Sequence, residues 1–103
     1  MQSPRVAPDA PPAIVALNIA PGTVLSAGDV ASGTVVTSSN VAAVQVRVAN
    51  FGMNMNKVGV GRFEISYRVP LLPPMLRGAY MLHVIARNTR GDTAQRDLGI
   101  TIR

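Results

Sequence analysis

At 103 residues the chain has room for one domain, large enough to bury a core without covalent staples. It holds no cysteine, which excludes disulfides and thiol chemistry, and no apolar run of about 20 residues that would cross a membrane as a helix. Ten Lys and Arg against five Asp and Glu leave a net charge of +5, but the arginines are scattered from Arg5 to Arg103 without a basic run and read as solvated surface charges.

Residues 1–13, MQSPRVAPDAPPA, carry four of the eight prolines and no hydrophobic period. Such a segment favours extended polyproline-type backbone and cannot build a core, so it reads as a tether, with the folded domain over 14–103. It also lacks the apolar centre of a signal peptide, and any targeting segment is expected outside this sequence. Ile14 to Ile19 is a first strand, stopped by the turn pair Pro21-Gly22. Val24 and Leu25 continue an edge before Ala27-Gly28-Asp29 turns the chain. Val30 to Thr37 is the second strand, where Gly33 marks a bulge or a close backbone approach and leaves the inward face open. Ser38-Ser39-Asn40 is a polar turn.

From Ala43 to Ala49 the chain alternates, with Val44, Val46 and Val48 inward and Gln45 and Arg47 outward, as a central strand requires. Phe51 to Lys57 is a loop by composition, and Val58 to Gly61 is too rich in glycine for more than a short edge strand. Arg62 to Val69 places Phe63, Ile65, Tyr67 and Val69 on one face, and the prolines from Pro70 to Pro74 end it. The stretch from Leu76 to Gly91, LRGAYMLHVIARNTRG, organises the rest. Tyr80, Leu82, Val84 and Ala86 fall on its inner side, while Met81, His83, Ile85 and Arg87 fall on its outer side. Leu76-x-Gly78-x-Tyr80 has the form of a tyrosine corner, and Asn88 to Asp92 is turn chemistry. Leu98, Ile100 and Ile102 make a last strand. About seven short strands with regular turn punctuation predict an all-β antiparallel sandwich of two sheets with Greek-key connections.

The run Gly78-x-Tyr80-x-Leu82-x-Val84-x-Ala86-x-Asn88-x-x-Gly91 resembles the F strand of bacterial Ig-like domains and of fibronectin type III modules. Gly22, Gly28-Asp29, the segment Thr37 to Val41 and Val44-x-Val46-x-Val48 are similar to the A to C strands of bacterial Ig-like repeats, so the resemblance covers roughly residues 14–103. Unlike antibody-type domains, the chain has Leu82 where the second cysteine would stand and no tryptophan. The resemblance implies a non-catalytic spacer or protein-binding module of an exported bacterial surface or secreted multidomain protein, in an extracellular, cell-surface or periplasmic setting. Its expected partners are neighbouring domains or another subunit, with acidic glycan as a further candidate.

Catalytic residues are not expected. A nucleophile–base pair would need His83, the one histidine, which sits mid-strand facing outward. No resident cofactor or metal is expected either. Met53-x-Met55, with Met75, Met81 and His83, offers the soft ligands that select Cu(I), but methionines beside Phe51 serve more simply as gap-filling contacts. The acids Asp29, Asp92 and Asp97 are too dispersed for a calcium loop. With three of four aromatics predicted inward, no stacking platform supports nucleic-acid binding.

The most informative surface is the outer face where Arg47, Met81, His83, Ile85 and Arg87 meet. An apolar centre rimmed by arginine is how a protein contact patch looks, against the ordinary alternative of isolated surface apolars. Two other functions remain open: a ligand-binding accessory module for acidic glycan or copper around Met53 to Lys57, and a subunit of a larger assembly packing through Met81 and Ile85.

Overall fold

A computed structural model of the chain describes residues 5–7, 10–20, 22–49, 51–69, 75 and 77–103. Nine strands follow in order: β1 (Ile14–Ala20), β2 (Val24–Leu25), β3 (Val30–Thr37), β4 (Val41–Val48), β5 (Phe51–Asn54), β6 (Asn56–Gly59), β7 (Arg62–Arg68), β8 (Gly78–Asn88) and β9 (Thr93–Ile102). They form a four-stranded sheet, β1-β3-β7-β6, and a five-stranded sheet, β2-β9-β8-β4-β5. This is an all-β sandwich, antiparallel except for the short parallel pair β2–β9.

The alternation of β8 sets the inside and the outside. Leu82, Val84 and Ala86 are buried while Met81 and Arg87 are exposed. Across the sandwich, Val35 of β3 and Phe63 of β7 pair in register and are buried against them. Gly33 lies on the same inward face as Val35. The register of β3 shows no irregularity there, and a Cβ at Gly33 would stand 3.3 Å from the Ile65 side chain, so close approach and not a bulge explains the glycine. β4 starts two residues earlier than its alternation suggests, because a register shift between Val41 and Ala43 turns Val41 as well as Val44 into the core.

Two expectations need correction. The stretch Phe51 to Lys57 is no loop. β5 pairs with β4 and β6 pairs with β7, so the chain changes sheets at Met55, whose N–H donates to the Val44 carbonyl at 2.9 Å. Asparagine and glycine lower strand propensity, but pairing along two sheet edges satisfies the backbone and wins. Ala49 does not belong to β4: it opens the turn to β5 with φ 52°. Tyr67 keeps the inward face expected for it with Phe63, lining the space between the sheets, but is partly exposed because β7 has run to the open end of the sandwich by that point. Pro70 to Pro74 and Leu76, the first residue of the tyrosine-corner motif, lie outside the described residues. Tyr80 itself packs partly buried against the core.

The two ends of the sandwich differ. At one, which we call the turn end, Ile14 pairs with Thr37, Val41 with Asn88, and Arg87 with Thr93. At the other, the open end, Gly78 pairs with Ile102 and Val30 with Arg68. The fully buried Val41, Val44, Phe63 and Ala86 fill the turn-end half.

Candidate functional site

The outer face of the five-stranded sheet gathers the residues that alternation assigns to it. Arg47 lies opposite His83, Gln45 opposite Ile85 and Ala43 opposite Arg87. On the other flank Met81 faces Gly99, His83 faces Asp97 and Ile85 faces Gln95. Met81 is 49% exposed because its cross-strand partner has no side chain, and the space above Gly99 is open. The Arg47 side chain lies over Gly52 of β5. Gln95 Nε2 donates to Asp97 Oδ1 at 2.8 Å, and His83 Nδ1 stands 2.7 Å from the same oxygen as a donor, since a carboxylate only accepts. These bonds, first from Gln95 and then from His83, hold the Asp97 carboxyl below its usual value of 3.8. The sequence pointed to His83, Met81 and Ile85 but missed Gln95 and Asp97. Their one-residue-apart alternation on β9 was the signal that would have found them.

The methionines lead elsewhere. Met53 and Met55 face the space between the sheets, while Met81 and His83 face out from the same five-stranded sheet. The soft ligands considered for copper are therefore not brought together. Among the described residues no cluster of three or more His, Cys, Asp or Glu could hold a metal ion.

What Met53 and Met55 line, among the described residues, is an apolar slot of about 350 Å³ between the sheets that reaches the open end. Leu17, Val46, Val48, Ile65, Leu82 and Ile100 form much of its wall. Phe51 from one sheet and Tyr67 from the other meet at its mouth with ring centroids 5.5 Å apart, both partly exposed. Sealed and empty, 350 Å³ would cost on the order of 8 kcal/mol at about 24 cal/mol per Å³, comparable to the whole stability of a small domain. Sequence alternation places these side chains inward but carries no information on whether their volumes fill the gap.

The turn end is polar and tightly bonded. Ser38 and Asn88 are buried there, and both reach residues 10–13. Ser38 exchanges two bonds with Ala13: its N–H donates to the Ala13 carbonyl at 2.9 Å and its Oγ accepts from Ala13 N–H at 3.0 Å. The Ala10 carbonyl accepts from Asn40 Nδ2 at 2.6 Å and from Asn88 Nδ2 at 3.1 Å. Further out, Val6 N–H donates to Ser39 Oγ at 2.9 Å. Asn88 also caps its own turn, with Oδ1 accepting from Arg90 and Asp92 N–H. Val6, Ala10 and Ala13 of the proline-rich arm are thereby bonded to the two turns Ser38–Asn40 and Asn88–Asp92.

A scan against protein-family models finds no match for this chain, and a search of curated proteins finds no relative.

Proposed function

We propose that the chain is a non-catalytic structural module, a spacer that holds what it joins at a fixed angle. One observation carries this reading. The chain enters at the turn end through an arm bonded by Ser38, Asn40 and Asn88, and β9 leaves at the opposite, open end. The molecule extends 47 Å along its long axis against 23 and 17 Å across. Proline already stiffens the arm, and the bonds to buried side chains remove its remaining freedom of direction. The resemblance to bacterial Ig-like repeats supports an exported surface or secreted parent protein.

The test is backbone ¹⁵N relaxation on the full chain, wild type beside an Asn40→Ala/Asn88→Ala double variant. Order parameters at Ala10 and Ala13 near the roughly 0.85 of rigid backbone are expected, falling below about 0.6 at Ala10 in the variant while Ala13 stays held by Ser38. An arm already mobile in the wild type would remove the basis of the spacer reading.

A second reading rests on Met81. Its exposure beside Ile85, with Arg47 and Arg87 at the rim, supports a protein contact on the outer sheet face. The two readings are compatible, since a fixed angle is useful where a face must be presented.

A further inference from the structure

We propose that the slot between the sheets is a binding site for a single medium-length alkyl chain. Its shape leads to this class of ligand. On β8 the wall runs from Tyr80 through Leu82 to Val84, four residue rises or ~13 Å of extended strand. A volume of about 350 Å³ drawn out over that length suits an extended hydrocarbon chain. The volume itself falls at the lower end of the range of small-molecule pockets, roughly 300–1,000 Å³.

The lining chemistry agrees. The walls are Leu, Ile, Val and Met. The polar side chains among them are Ser32, whose hydroxyl pairs with Ser66 across the outer face, and the tyrosines Tyr67 and Tyr80. Among the described residues a ligand in this slot finds no charged group to recognise it, so affinity comes from apolar contact, and a polar or multiply charged molecule would be desolvated without return. Met53 and Met55 are flexible and polarisable, suited to closing around a chain of variable contour. Phe51 and Tyr67, contributed by opposite sheets, mark the mouth through which the chain would enter. Gly33 keeps one wall clear, since a Cβ there would press on Ile65 and approach Met55 Cε at 3.9 Å.

The experiment is a titration of the full 103-residue chain with 1-decanol and with sodium decanoate, followed by methyl ¹H–¹³C spectra and thermal unfolding. Saturable shifts at the methyls of Val48, Ile65, Leu82 and Ile100, a single bound molecule and a raised Tm are expected. Ala31 lines the slot beside the mouth, so Ala31→Leu should fill the space and weaken binding at least about tenfold. Val48→Phe is the second filling variant should Ala31→Leu fail to fold. Ile85→Lys, on the outer face, should bind as the wild type does. Equal shifts for both probes assign recognition to the alkyl chain alone, whereas binding of decanoate without decanol would overturn the apolar basis of the site. Absence of saturable shifts, as would follow if the chain's own residues fill the slot, overturns the proposal. So does unchanged affinity in the folded filling variants.

Discussion

Asn88 shows how much one side chain does at the turn end. It is 2% exposed, closes the turn from β8 to β9 with its Oδ1 and holds the Ala10 carbonyl with its Nδ2. Asp97 is the opposite case, an exposed carboxylate set by neighbours. Its bond from Gln95, and next that from His83, lower its pKa, so it favours the folded state above the usual 3.8 and loses that contribution as pH falls through its lowered value. Gln95→Ala should therefore move the Asp97 carboxyl titration, followed by ¹³C NMR, upward toward 3.8; an unmoved titration would assign the shift elsewhere. Ala49 holds φ 52° where the chain passes from β4 to β5, with Val48 and Phe51 paired across the turn. An L-residue pays about 1–2 kcal/mol for that conformation, and Gly loses part of the relief to its freer unfolded chain. Ala49→Gly should stabilise by about 0.5–1 kcal/mol, visible as a raised Tm.

At the level of elements, the two halves of the core should respond differently to truncation. Phe63 is fully buried in the filled half, so Phe63→Ala should cost about 3–5 kcal/mol in urea unfolding. Leu82 borders the slot, where little surrounding material is left to lose contact, and Leu82→Ala should fall near the lower end of the usual range, about 2–3 kcal/mol. Equal costs would mean that the slot is filled in solution. The strands themselves were legible wherever alternation was clean. β4, β7, β8 and the Leu98–Ile102 half of β9 follow from apolar residues at every second position, whereas Ala94 and Arg96 hide the first half of β9. β5 and β6 were not, because Asn54, Asn56 and Gly52 carry turn composition and their strands exist only through their partners β4 and β7. The outer face was legible for the same reason as the strands: a period of two assigns Met81, His83, Ile85 and Arg87 to one side. The slot and the latch of Ser38 and Asn88 on the arm were not legible. One depends on volumes summed over two sheets, the other on contacts across 25 and 78 residues.

For the whole molecule, the five-stranded sheet leaves one broad face with Met81 and Ile85 at its centre and arginines beside them. Light scattering coupled to size exclusion, wild type beside Ile85→Lys, separates its uses. An oligomer that becomes monomeric in the variant makes this face the contact between copies. Compact monomers in both leave the spacer as the working function. The net charge of +5 opposes close approach of copies at low salt, so any self-association through this face should strengthen as ionic strength rises.

The parallel pair β2–β9 acquires a meaning when the molecule is placed under tension. Val24 and Leu25 lie beside Thr101 and Ile102 in the same direction, and Thr101 and Arg103 N–H donate to the Thr23 and Leu25 carbonyls, both at 2.8 Å. A force pulling the arm away from the turn end and the C-terminal strand away from the open end slides these two strands past each other lengthwise. The same load drags β1 along β3. Every bond in each patch is stretched together, whereas a hairpin pulled from its ends would unzip one bond at a time. Mechanical strength in this small domain thus comes from the direction in which its strands are loaded.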